Sequence, residues 1–144
     1  MFSKACEYGI RAILFIVTKS RYDERTRIRE IAKEIGAPEA FTAKVLQKLV
    51  KNNLLHSSTG PKGGFFLKEK DIERLKLIQV VKAIDGDSVY VNCGLGLKKC
   101  DAEHPCPVHH KFEHIRADLI EMLSTMKVGK MAEDIENKTA FLKY

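Results

Sequence analysis

Between residues 28 and 67 the chain carries two local patterns that few folds place side by side. Ile28, Ile31, Ala32 and Ile35 recur at helical spacing, and Gly36 stands where a helix closes with a left-handed cap. Pro38 then opens another helical pattern over residues 38–52, with Phe41, Val45, Leu46 and Leu49 on its inner face and Asn52-Asn53 as its stop. Helix, short glycine-containing turn and helix together make a helix-turn-helix. Two short strand-like runs follow, one ending at Ser58 and one at Phe65-Phe66-Leu67, separated by Thr59-Gly60-Pro61-Lys62-Gly63-Gly64. Such runs around a Gly/Pro turn predict a β-hairpin. A hairpin directly after a helix-turn-helix is a wing, so the pattern predicts a mainly α protein with a small β-hairpin wing.

The flanking segments are helical too. Ala5, Gly9, Ile13 and Val17, with Cys6, Ile10 and Leu14, predict a first helix over about residues 3–20. A polar loop joins it to the helix-turn-helix. After the wing, Ile72, Leu75, Ile78, Val81 and Ala83 predict a fourth helix over residues 71–86, and residues 87–105 read as irregular. A long helix is predicted over residues 106–126. Along it Val108, Phe112, Ile115, Leu119, Met122 and Met126 follow one another at three- and four-residue steps. This seam either packs on its own domain or pairs with its twin in a dimer. The tail from Met131 onward reads as a short helix with a frayed end. The chain thus divides into a winged helix-turn-helix region, 1–70, and a region of fourth helix, cysteine loop (92–106), dimerisation helix and tail, 71–144.

Charge points to a polyanionic partner. Residues 1–70 hold 14 Lys and Arg against 7 Asp and Glu, a balance of +7, whereas residues 71–144 hold 11 against 12. All of the excess positive charge therefore lies in the half that carries the helix-turn-helix, a match for duplex DNA. The helix over 38–52 is the expected recognition helix, with Glu39, Ala40, Phe41, Thr42 and Lys44 near its N-terminal end, where base edges are met. Ala43 belongs to the same outward face. Lys48 and Lys51 lie further along, where phosphates are met, and Arg27 and Arg29 at the start of the preceding helix suit phosphates as well. In the wing, Lys62 suits a phosphate or the minor groove, and Gly60 and Gly63 allow close backbone approach.

Other classes fit poorly. No apolar run approaches the ~18–20 residues of a membrane span. The longest, Ala12 to Val17, is bounded by Arg11 and Lys19. The start of the chain lacks the layout of a secretion signal, so a cytoplasmic location is expected and disulfides are not. Gly-x-Ser-x-Gly, His-Glu-x-x-His and glycine-rich phosphate loops are absent from the sequence, so neither an enzyme nor a small-molecule substrate is expected.

The four cysteines then need another role. Cys6 falls on the inner face of the first helix and reads as a core residue. Cys93, Cys100 and Cys106 are separated by six and five residues, and His109 follows after two more. Three thiols and an imidazole within a glycine-containing loop suit a soft metal centre. Spacing alone leaves an iron–sulfur cluster, zinc, and redox-active or unligated thiols open. Thiols and imidazole would close a zinc shell, leaving no open position for substrate chemistry.

Several stretches resemble the Rrf2 family of winged-helix regulators, in its iron–sulfur (IscR- and NsrR-like) branch. Ser3-Lys4-Ala5-Cys6-Glu7-Tyr8-Gly9-Ile10-Arg11 is similar to the family's first helix, and Ile28-Arg29-Glu30-Ile31-Ala32 and the nine residues from Phe41 to Leu49 to its helix-turn-helix. Gly60-Pro61-Lys62-Gly63-Gly64-Phe65-Phe66-Leu67 resembles its wing, the most specific local match. The resemblance implies a homodimer on duplex DNA with a 2Fe–2S or 4Fe–4S cluster in each subunit, whose loss, oxidation or nitrosylation alters DNA affinity. It implies Cys93, Cys100 and Cys106 as ligands, with His109 matching the fourth ligand of the cluster-assembly regulator. Glu7 matches a carboxylate that nitric-oxide-responsive relatives direct to the partner's cluster. The six-residue first gap is one longer than the family's usual five. Ala43 replaces an acidic base-reading residue, so the operator does not carry over. Some members lack a cluster, which keeps a cofactor-free or zinc-binding regulator as the alternative.

Overall fold

The computed structural model describes residues 1–143. Its central element is α1 (Lys4–Ser20), which begins where Ser3 accepts a hydrogen bond from the Cys6 amide at 3.0 Å. Cys6, Ala12, Ile13, Leu14, Ile16 and Val17 are all buried along it. A helix so apolar on several sides needs neighbours on several sides. It has them in α2 (Ile28–Ile35), α3 (Glu39–Lys51), α5 (Leu77–Asp85) and α8 (Val128–Glu136). One core, running from Cys6 through Leu46 and Val81 to Val128 and Ala132, joins both halves of the chain.

The helix-turn-helix forms as its punctuation predicts. Gly36 takes the left-handed conformation, φ 67°, and its N–H bonds back to the Lys33 carbonyl. Pro38 sits one position earlier than expected. It is the extended residue before the first turn of α3, and its carbonyl accepts from the Thr42 amide at 2.9 Å.

Strands β1 (His56–Ser58) and β2 (Gly64–Phe66) pair antiparallel, with His56 opposite Phe66 and Ser58 opposite Gly64. A third rung comes from the segment read as a plain polar loop. Thr26 donates its N–H to the Phe65 carbonyl at 3.0 Å and accepts from the Phe65 N–H at 2.8 Å. Two strands alone are marginal in water, and this pairing ties the wing to the entrance of α2.

The predicted fourth helix is two helices. α4 (Glu69–Arg74) ends at Leu75, and α5 starts at Leu77. Neither proline nor glycine causes the break. Leu75 and Lys76 are extended because their backbone pairs with the other chain reversal, at Lys127. Leu77 N–H bonds to Met126 O and Val128 N–H to Leu75 O, both at 2.9 Å. Long-range partners thus supply the hydrogen bonds that a continuous helix would have made.

The irregular segment contains one further helical turn, α6 (Ser88–Val91). The long helix, α7 (His109–Thr125), starts later than expected, because Cys106 to Val108 form the turn that leads into it. It ends at Met126, and the tail's helical part, α8, begins at Val128 rather than Met131. No helix among the described residues is long and apolar enough to cross a membrane.

Candidate functional site

α3 and the wing form one candidate surface. Ala40 and Glu39 at the N-terminal end of α3 are exposed, as are Lys44, Lys48 and Lys51 along it and Lys62 at the wing tip. Arg29 is almost wholly exposed, its nearest partner being Glu39 at 3.9 Å.

Other residues expected on this surface have different roles. Thr42 is 1% exposed, and its hydroxyl donates to the Pro38 carbonyl at 2.9 Å. It faces the core, which corrects its placement on the outward face. Phe41 is half-buried, its ring edge-on to Tyr8 of α1 at 5.7 Å. Lys48 reaches across to the Ile84 carbonyl at 3.3 Å, so its ammonium is drawn to the end of α5. Arg27 donates to the Gly60 and Pro61 carbonyls at 3.1 and 2.6 Å. Gly63 is buried rather than open to a ligand. A β-carbon there would lie 2.5 Å from the Ser58 carbonyl oxygen, so the hairpin's own closure requires the glycine.

Arg25 escaped the sequence reading. Its guanidinium lies over the Phe66 ring at 4.3 Å and donates to Ser58 Oγ at 2.7 Å. Alternating Arg25, Thr26 and Arg27 is the signal that could have revealed it. Thr26 pairs in the sheet, and the arginines on either side brace the wing.

The second candidate centre lies at the foot of α7. All four cysteines are free thiols. Cys6 is fully buried in the core, as expected, and burial pushes its thiol up to about 12, with Asp85 acting in the same direction. Cys100 and Cys106 are half-buried and Cys93 is buried. Backbone amides of Leu95 and Leu97 hold the Cys93 thiol below its ordinary value, with smaller help from the Cys106 side chain and the Arg116 charge. Cys100 Sγ lies 3.5 Å from Nδ1 of His109, the buried first residue of α7, and 3.3 Å from an Arg116 guanidinium nitrogen.

The donor chemistry fits an iron–sulfur centre. Such centres are held by thiolates and stabilised by hydrogen bonds to sulfur, and this loop supplies both. His109 also has His110 and Glu113 within 4.8 Å, a grouping that suits a harder cation. Glu7 is engaged differently: on the first turn of α1, it accepts from Lys4 Nζ at 2.8 Å.

The predicted seam along α7 divides. Phe112 and Leu119 are half-buried; Phe112 lies so close to Gly94 that a β-carbon there would meet the ring at 2.6 Å. Val108 is half-buried just before the helix. Ile115, Met122 and Met126 are exposed, at 52%, 42% and 37%. Leu123, outside the predicted seam, is the residue that seals the helix to the core.

A helix-turn-helix with a braced wing, joined through one core to a long helix, is the architecture of a winged-helix transcription regulator. The chain belongs to the Rrf2 family: a family model described as "Iron-dependent Transcriptional regulator" matches residues 2–134. It is 29% identical over 143 residues to a putative HTH-type transcriptional regulator of Aquifex aeolicus, covering 98% of this chain and 96% of that one. It is 24% identical over 129 residues to the HTH-type transcriptional regulator IscR of Klebsiella pneumoniae, covering 90% and 77%. Its fold is similar to that of CymR, described as the global cysteine regulator of B. subtilis, with a TM-score of 0.76 and 17% identity over 92% of this chain and 96% of that one. The proteins it matches are regulators, not enzymes.

Proposed function

We propose that the protein is a cytoplasmic, homodimeric repressor that binds duplex DNA through α3 and the wing and responds to an iron–sulfur cluster held by Cys93, Cys100 and Cys106. The observation that carries this reading is a convergence at one helix. Cys100 lies beside His109 at the foot of α7, Cys93 meets Cys106 in the turn that leads into it, and the helix's outer edge leaves Ile115, Met122 and Met126 exposed. Val91, Leu95 and Leu97 of the cysteine-bearing segment are exposed too. Apolar side chains on two adjoining elements suit burial against a second copy. Pairing through α7 would present two α3 helices to successive half-sites about one helical turn apart.

When bound, the cluster supplies a centre sensitive to electron transfer, oxygen and nitric oxide. The chain's own residues do the rest. Amides of Leu95 and Leu97 favour the thiolate of Cys93, and His109 stands beside Cys100 as the nearest fourth donor. Glu7 is the fourth ligand of the variant in which one subunit's α1 reaches its partner's loop. With both fourth-ligand solutions available, the cluster is either 2Fe–2S or 4Fe–4S. Ligation fastens the loop to the start of α7, so release of the loop alters how α7 pairs and how far apart the α3 helices stand. A few kcal/mol of differential stability is enough to shift such an equilibrium substantially.

Anaerobic purification, visible absorption, and iron and sulfide counting test the proposal, followed by DNA binding with and without the cluster at one salt concentration. Coloured protein that bleaches with Cys100→Ala is expected. An iron-free protein that still responds to oxidants on DNA would overturn the cluster. That result would leave the second reading, a thiol switch without cofactor, which the thiolate-favouring surroundings of Cys93 support.

A further inference from the structure

Arg116 lies two turns along α7 from His109 and has a half-buried side chain. One guanidinium nitrogen donates to the Asn92 carbonyl at 2.9 Å, and the other meets Cys100 Sγ at 3.3 Å. Asn92 is the residue before Cys93, so the fork touches the loop at its beginning and again near its middle. Both contacts are to hydrogen-bond acceptors, and neither is a carboxylate. The guanidinium charge is therefore directed at sulfur and a carbonyl rather than spent in an ion pair. Arginine suits this task because its donors are fixed in one plane and its charge persists at every physiological pH.

We infer that Arg116 is the positioning residue of the cysteine loop: it fastens both the approach to Cys93 and the Cys100 sulfur to α7, and it donates to ligand sulfur when the centre is loaded. The loaded half of this inference rests on the cluster reading; the fastening does not. Without the fork, the loop would be joined to α7 through the Cys100–His109 contact, the turn at Cys106 and the packing of Phe112 on Gly94. Hydrogen bonds and positive charge at a ligand sulfur also favour the reduced, more negative form of a cluster, which raises its potential.

The test compares wild type, Arg116→Ala and Arg116→Lys, each confirmed as folded by its thermal transition. In metal-free protein, an endoproteinase that cuts after lysine probes the exposed Lys98-Lys99 pair. Arg116→Ala is expected to be cut there several-fold faster, and Arg116→Lys to lie between. In protein reconstituted anaerobically with ferrous iron and sulfide, Arg116→Ala is expected to lose iron to a chelator about tenfold more readily, as with other residues supporting a ligand. Its midpoint potential in a dithionite titration with mediator dyes should move to more negative values, with the lysine variant recovering part of that shift. A merely structural arginine would leave the potential of the loaded variant unchanged. If wild type takes up no iron, the cluster reading fails while the protease measurement still decides the fastening. Unchanged cleavage overturns the fastening, and unchanged potential and iron retention overturn the role at sulfur.

Discussion

Several single residues in this protein are held in place by the backbone and burial around them. Gly63 shows this most sharply, because its missing β-carbon makes room for the Ser58 carbonyl. Gly63→Ala is expected to destabilise the protein by about 1–3 kcal/mol through overpacking against backbone that cannot step aside. Chemical denaturation measures that loss, and DNA affinity should fall with it because the wing is displaced. Cys6 is constrained by its surroundings in a different way. Its thiol, ordinarily near 9.0, is held up to about 12 by burial, so the folded chain keeps a proton that the unfolded chain releases. Its contribution to stability is complete below pH 9.0 and is lost as pH rises toward about 12. Cys6→Ala should flatten that part of a stability–pH curve. Alkylation of native, metal-free protein at neutral pH should label Cys93 well before Cys6, as peptide mass mapping would show.

At the scale of elements, α7 is the one with one edge buried and another left exposed. Leu123 is buried against its own core, while Ile115 and Met122 stand in the open on another edge. An aspartate pair, Ile115→Asp with Met122→Asp, should therefore leave the monomer folded with a nearly unchanged thermal transition. If α7 pairs as proposed, the same pair should yield a monomer in light scattering where wild type is a dimer and weaken binding to a two-half-site operator by at least about tenfold. Loss of folding instead would show that this edge packs within its own chain. The seam spacing marked an apolar face but could not say which positions on it face inward. That division depends on the loop from Asn92, whose Gly94 draws Phe112 in.

Across the whole molecule, positive charge gathers on one half, and α3 and the wing tip carry exposed lysines on the surface proposed to meet DNA. Removing Lys44 or Lys62 should weaken binding to specific and unrelated duplexes alike. Each removal should reduce the slope of log affinity against log salt by about one, the signature of one lost phosphate contact. An unchanged slope would place that lysine off the DNA. What was legible in advance was whatever is written in neighbouring residues: the Gly36 cap, the Pro38 start, the glycine turn of the wing, the period of α1. What was hidden was set by residues far away in the chain. Thr26 joins the sheet only because Phe65 is there to meet it, and the fourth helix breaks at Leu75-Lys76 because Lys127 pairs with it. The thiols were visible as a set, but Arg116 was not, since a lone arginine on a charged helix gives no sign of the sulfur it meets.

The bridge between Lys76 and Lys127 fastens two chain reversals to each other, and so α5 and α8 share a single fulcrum. Directly before Lys127 comes the end of α7; at the far end of α5, the Ile84 carbonyl holds Lys48 of α3. A tilt of α7 would therefore be passed through this bridge to α5 and on to Lys48 of α3. The longer arm of that linkage is α7, which starts beside the thiols, and the shorter is α5, which ends against the proposed recognition helix.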